Sequence, residues 1–166
     1  MKIYGVTGWK DMGKTTLVVD LVRLLSARGL RIATVKHAHH GVELDQPGRD
    51  SYRHREAGAA QVMVASASRI AIIEELRDTP EPALADLLPR LERADLVLVE
   101  GYKASPHRKL EVYRTEAARG RAPIAADNAS IRAIVGEAEA APVPVLDPGD
   151  LEAIADFVLA DAEELR

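Results

Sequence analysis

Apolar residues along the chain come in short runs separated by polar turns, and the runs alternate between strand and helix periods. Residues 3–7 (IYGVT) read as a buried strand. Residues 14–28 (KTTLVVDLVRLLSAR) read as a helix that is apolar except along the stripe Asp20, Arg23 and Ser26. Gly29 suits a helix C-terminus, and RIATVK (31–36) reads as a second strand. The texture then changes: residues 37–58 are polar and basic, with little that can fill a core. QVMVASA (61–67) and RIAIIEE (69–75) are strand-like. Pro80 and Pro82 introduce a helix with Leu84, Leu87, Leu88 and Leu91 at helical spacing, where Pro89 predicts a kink or an early end. DLVLVEGYK (95–103), KLEVYR (109–114), PIAAD (123–127), IRAIVG (131–136) and VPVLD (143–147) read as further strands. A last helix over 150–164 puts Leu151, Ile154, Ala155, Val158 and Ala162 on one face.

Strands rich in branched residues alternating with helices predict an α/β fold, a mostly parallel β-sheet flanked by helices on both faces. A chain of 166 residues suits one domain spanning 1–166, with no room for a second. Ligands of such sheets bind at the carboxyl ends of the strands.

At the carboxyl end of the first strand stands GWKDMGKT, which fits G-x-x-x-x-G-K-[ST] in a strand–turn–helix context. Such a turn aims successive backbone N–H groups inward, and the following helix adds its unsatisfied amides and positive dipole end. This makes the fold P-loop NTPase-like and nominates Gly8, Trp9, Lys10, Asp11, Met12, Gly13, Lys14, Thr15 and Thr16 as a nucleotide cradle. Lys14 would meet the β- and γ-phosphates, and the Thr15 hydroxyl would ligate Mg²⁺. Trp9 either shields the nucleotide, contacts a partner or simply covers the loop.

Glu100 follows four apolar residues at the end of its strand, where a carboxylate can serve Mg²⁺ or orient an attacking water. Asp45 and Asp50 flank the turn Gln46-Pro47-Gly48. Either can complete the magnesium shell, and Asp50 is favoured because Arg49 and Ser51 lie beside it. HAHH places His37 and His39 on one face of an extended chain and His40 on the other. With Lys36, Arg49, Arg53 and Arg55 nearby, anion binding is favoured over a transition-metal site, since those cations repel a metal ion. Asp127 either accepts from guanine N1–H and N2–H₂ or caps a helix, a role open also to Asn128.

The formal net charge of -4 argues against nonspecific nucleic-acid binding, so no nucleic-acid partner is expected. There are no cysteines, which removes disulfides, thiolate nucleophiles and thiolate metal sites. No apolar run spans a bilayer and the first strand begins at once, so no membrane association and a cytoplasmic location are expected.

GVTGWKDMGKTTLVVDLV, then TVKHAHH followed by DQPGRDSYRHREAGA, then DLVLVEGYK, in that order and spacing, resemble the MobB-type molybdopterin-guanine dinucleotide biosynthesis adapter proteins over roughly residues 2–114. The resemblance implies a homodimeric GTP-binding protein with weak GTPase activity and Mg²⁺ as its ion. It would assist a separate molybdopterin guanylyltransferase that joins GMP to molybdopterin. It also implies that residues 8–16 bind GTP, that Thr15 and Glu100 serve Mg²⁺, and that Lys36, His37, His39, Arg49, Arg53, Arg55 and Lys103 form the substrate or partner surface. Two other readings share much of this chemistry: a small-molecule kinase, and a metallochaperone GTPase using the histidine cluster.

Overall fold

The computed structural model describes residues 1–38, 44–91, 93–138 and 141–165. In chain order the elements are β1 (Lys2–Thr7), α1 (Lys14–Ala27), β2 (Ile32–Lys36), α2 (Asp50–Glu56), β3 (Gln61–Ala65), β4 (Ile70–Glu74) and α3 (Leu84–Leu87). There follow β5 (Leu96–Glu100), β6 (Lys109–Tyr113), α4 (Thr115–Ala118), β7 (Ile131–Gly136), β8 (Val145–Leu146), α5 (Leu151–Asp161) and β9 (Glu163–Glu164). Two compact units emerge: Met1–His37 with Leu84–Arg166, and Ala38–Ala83.

The larger unit is built on one sheet in the order β2-β5-β1-β6-β7-β8. All neighbours on that path are parallel, and β9 alone runs antiparallel against the start of β1, pairing Lys2 with Glu164 and Ile3 with Glu163. Side chains alternate across the strands, so each central strand feeds two cores. Tyr4, Val6, Leu96 and Leu98 point to one face, where α1 buries Leu17, Val18, Leu21 and Leu25 and α5 buries Ile154, Ala155 and Val158. Ile3, Val97 and Val99 point to the other and are met by Leu84 and Leu88. The leucine-spaced helix is short for the reason the sequence suggests: it stops at Leu87, and Leu88–Leu91 tightens into a 3-10 turn around Pro89, which has no N–H to donate.

PIAAD corrects an expectation. Ile124–Ala126 is a 3-10 turn and not a strand, because Glu111 on β6 reaches across and accepts from the Ile124 and Ala125 amides, both at 2.8 Å. Those bonds replace the ladder a strand would need.

β6 carries charge into the interior. Lys109 is fully buried, its ammonium donating to the Ser105 carbonyl at 2.5 Å and to Ser130 Oγ at 2.7 Å. Burial pushes it down to about 8. His107 packs beside it under Gly5, where any Cβ would lie 2.6 Å from His107 Nε2 and 2.7 Å from Lys109 Cβ. Only glycine leaves room for that pair in β1. Neither His107 ring nitrogen has a hydrogen-bond partner among the described residues. Burial first, then the Lys109 charge, pushes His107 down to about 4 from an ordinary 6.5. Between those values the unfolded chain binds the proton and the folded one refuses it, so stability must fall as pH drops through that window. From pH 6.5 to 5 the expected loss from this group is about 1.5 kcal/mol. Urea midpoints at pH 7 and pH 5 should show it, and His107→Leu should flatten the difference.

The smaller unit comprises α2 and the antiparallel β3–β4 hairpin, paired from Gln61↔Glu74 to Ala65↔Ile70. Its interior tie is ionic: Arg55 reaches Glu75 at 2.5 Å and Asp45 at 3.5 Å, and Asp45 also accepts from Ser51 Oγ at 2.9 Å. Among the described residues, no helix is long and apolar enough to cross a membrane.

Candidate functional site

The turn between β1 and α1 is held in a strained, concave course by three residues of positive φ: Gly8 (142°), Asp11 (65°) and Gly13 (92°). A Cβ on Gly8 would sit 2.4 Å from the Val112 carbonyl oxygen, so the loop can leave the sheet there only as glycine. Asp11 occupies the left-handed region that aspartate tolerates better than most residues. Gly13 is the N-cap of α1 and brings no side chain to the first-turn amides. Those amides and the dipole end are thereby aimed into the turn, the arrangement that binds an anion.

Two side chains lock the loop to its surroundings. Met12 is fully buried in the core beneath it, and its Sδ accepts from the Arg114 amide at 3.3 Å. Trp9 extends its indole sideways and donates from Nε1 to the Ala122 carbonyl at 3.0 Å. The Lys103 ammonium lies 4.3 Å from the Trp9 ring centroid and the Arg121 guanidinium 5.2 Å, both in cation–π range. Lys10, Asp11 and Thr16 are exposed.

The Lys14 ammonium arches back to donate to the Trp9 carbonyl at 2.6 Å. Burial, then the charge of Lys103, hold it below the ordinary lysine value. A lysine destabilised as a cation in this way gains from an arriving anion. Next to it, the Thr15 hydroxyl donates to Glu100 Oε1 at 2.8 Å. Glu100 ends β5 in register with both Val6 of β1 and Lys36 of β2. The Lys36 ammonium completes a triangle, 3.2 Å from Glu100 Oε1 and 3.2 Å from Thr15 Oγ1. A hydroxyl and a largely buried carboxylate, already drawing a cation, form a hard-oxygen donor set. That set fits Mg²⁺, which takes one or two carboxylate or hydroxyl oxygens and fills its shell with phosphate and water.

β2 is closed against β5 by the His37 amide, which donates to the Glu100 carbonyl at 3.0 Å, and His37 stacks on Tyr102 with ring centroids 4.6 Å apart. Thus Lys36, His37, Glu100 and Lys103 all gather with the loop at the carboxyl ends of the strands. His39 lies outside the described residues. Arg49, Asp50, Arg53 and Arg55 belong to the smaller unit. There Asp50 starts α2 and is exposed, 3.9 Å from Arg53, and Arg49 turns to Gln46 Oε1 at 3.4 Å. Arg55, expected on the substrate or partner surface, is ion-paired with Asp45 and Glu75. No cluster of three or more histidine, aspartate or glutamate side chains suited to a metal occurs among the described residues.

Asp127 is not brought to the loop. It ends the 3-10 turn, exposed, and lines a shallow recess with Arg108 and Glu163. Glu163 pairs with Ile3 near the amino end of β1, whereas the phosphate loop leaves the carboxyl end. Asn128 Oδ1 accepts from the Ser130 amide at 3.0 Å in a turn that leads into β7, so there is no helix here for Asp127 or Asn128 to cap. Acids that do lie beside the loop are Asp20, Glu116 and Glu137, which line a recess of about 400 Å³ together with Gly13, Thr16 and Arg114. Sequence reasoning passed over Glu137 and Glu111, since an acid after or within a short strand looks like an ordinary solvated residue.

The model of the family described as "Molybdopterin guanine dinucleotide synthesis protein B" matches residues 3–137. The chain is 40% identical over 157 residues to the molybdopterin-guanine dinucleotide biosynthesis adapter protein of Escherichia coli, covering 91% of this chain and 87% of that one. To the protein of the same description from Haemophilus influenzae it is 43% identical over 117 residues, 69% of this chain and 64% of the relative. Among solved structures, the MobB protein homologue from Bacillus stearothermophilus superposes with a TM-score of 0.68 at 27% identity, covering 95% of each chain.

Proposed function

The chain belongs to the molybdopterin guanine dinucleotide synthesis protein B family, and on that premise we propose that it is a GTP-binding adapter that assists the attachment of GMP to molybdopterin. The observation that carries the reading is the Thr15–Glu100 pair standing beside a preformed anion-binding loop. The triphosphate lies along the loop amides with Lys14 on its outer phosphates. Thr15 and Glu100 would hold Mg²⁺ there, which would supply charge neutralisation at the phosphates. Guanine enters the recess beside α1, where Glu116 and Glu137 offer acceptors for N1–H and N2–H₂, a pairing adenine cannot make. Lys36, His37 and Lys103 form a cationic surface for the pterin phosphate or the guanylyltransferase, and Arg49 and Arg53 offer cations of the smaller unit for the same role. The cytoplasm is the compartment that supplies GTP for this chemistry.

Family membership favours this adapter over the kinase and metal-delivery readings. The test is titration of the protein with GTP and ATP in Mg²⁺, together with formation of the guanine dinucleotide by a guanylyltransferase with and without the protein. GTP preference and faster product formation are expected. Equal binding of both nucleotides and no effect on the transferase would sink it.

The adapter works as a homodimer, and the β3–β4 hairpin is the feature that supports this. Met63, Val64, Ile70 and Ile72 are 63, 47, 66 and 57% exposed on a two-stranded ribbon, a structure that is marginal without a partner. A second copy of the chain offers the same apolar, β-branched surface. Ile70→Lys with Ile72→Lys should convert the dimer to a monomer of 18.0 kDa in light scattering, without loss of GTP binding.

A further inference from the structure

Lys36 is committed to the two oxygens that the proposed function gives to magnesium. Thr15 spends its hydroxyl proton on Glu100, which leaves its oxygen lone pairs as the metal donor, and Lys36 donates to that same oxygen. Its ammonium also lies 3.2 Å from the Glu100 oxygen that Thr15 addresses. Magnesium bonds to oxygen at about 2.0–2.1 Å, so a metal on these donors would lie within roughly 5 Å of the ammonium, where like charges repel and the two compete for the same oxygens.

The backbone beneath Lys36 is fixed and the arm above it is not. Lys36 ends β2 in register with Glu100, and the next residue is tied down by the His37 amide bond and the stack on Tyr102. Its side chain is 59% exposed, so four methylene groups can swing without disturbing the core. The Lys36 charge is also felt by Lys14, which marks the outer-phosphate position as within its field.

We propose that Lys36 is a tethered counter-ion: it holds the Thr15–Glu100 pair against divalent metal until a triphosphate draws its ammonium away, so that metal and nucleotide bind as one cooperative event. The proposal rests on the reading of Thr15 and Glu100 as the magnesium pair. In it, Lys36 does two things in turn. Its ammonium neutralises Glu100, and on nucleotide binding it moves to the phosphates and leaves the carboxylate to the metal. Free Mg²⁺ alone therefore does not load the site.

The experiment uses Mn²⁺ as a paramagnetic probe on the full chain, with electron paramagnetic resonance counting free ion, with and without a non-hydrolysable GTP analogue. In Lys36→Met, Mn²⁺ affinity without nucleotide should rise about fivefold or more, the loss of one partly exposed ion pair and its repulsion. The nucleotide's enhancement of Mn²⁺ binding, corrected for binding by the free analogue, should shrink by a similar factor. Lys36→Arg should behave as the unaltered protein. Unchanged or weaker Mn²⁺ binding in Lys36→Met, with Glu100→Gln still abolishing it, would overturn the counter-ion role and leave the metal pair standing. Mn²⁺ binding indifferent to both Glu100→Gln and Thr15→Val would overturn the metal pair itself, and the proposal with it.

Discussion

Lys14→Ala is expected to abolish nucleotide binding in a protein that still folds. Among the described residues the Lys14 ammonium donates to the Trp9 carbonyl in its own loop, and Lys14 starts α1 without contributing to the buried face made by Leu17, Val18, Leu21 and Leu25. Nothing in the core depends on it. Its burial and its lysine neighbour hold its pKa low, so the charge is poorly compensated until phosphate arrives. A hydrogen bond to a charged group contributes about 1.5–3 kcal/mol, and a lysine spanning two phosphates makes two of them. The loss in affinity should be at least on the order of a hundredfold. Trp9 is the only tryptophan in the chain and sits in the loop, so its fluorescence reports the titration directly. A folded Lys14→Ala protein that binds GTP as before would end the phosphate-loop assignment.

The second large effect belongs to Glu111→Gln, a change of one atom in a side chain that is fully buried. Glu111 uses its two carboxylate oxygens separately, Oε1 for the Ile124 amide and Oε2 for the Ala125 amide. Glutamine keeps one acceptor and turns an NH₂ group toward the other N–H, leaving a buried donor facing a donor. A buried donor left unsatisfied costs about 1–3 kcal/mol, and the new repulsion adds to it. Denaturant midpoints should fall accordingly. The same turn continues from Ala122, whose carbonyl receives Trp9 Nε1. Loosening it should blunt the loop as well, raising the GTP dissociation constant by more than a global loss of stability explains. A variant as stable as the parent would mean that Glu111 is only a filler.

These two residues also show what the sequence could disclose. Lys14 was legible because the phosphate loop is a local pattern: glycines at 8 and 13 free the backbone, and the lysine and threonine follow at once. The place of Glu100 beside the loop was legible for a similar reason, since it stands at the end of four apolar residues in a buried strand. Glu111 was not. In KLEVYR the alternation of Lys109 and Glu111 with Leu110 and Val112 has the period of a half-solvated strand, yet all five residues of β6 are buried. The partners that make this possible, Ile124, Ala125, Ser105 and Ser130, are brought in by loops, and no periodicity records them. PIAAD was misread through the same blindness, since its apolar run says nothing of the carboxylate that bends it. Arg55 was placed with the anion-binding cations, and the sequence cannot reveal that Asp45 and Glu75 close on it. Asp127 was left between guanine and a helix cap by its place after an apolar run, and it ends a 3-10 turn in a recess shared with Arg108 and Glu163.

The short pairing of β9 with β1 gives the folding of the molecule a particular order. β1 is hydrogen-bonded to β5 and β6, and its first residues are completed only by Glu163 and Glu164, with the Leu165 amide donating to the Met1 carbonyl. β1 therefore finds every strand it pairs with at residue 96 or later. Contacts so distant along the chain form slowly, because the intervening loop must be closed before they give anything back. During synthesis the phosphate loop exists as a sequence long before it exists as a shape. Its foundation strand stays apolar and without a strand partner until β5 has been made, so a product truncated before residue 96 would lack the sheet that shapes the loop.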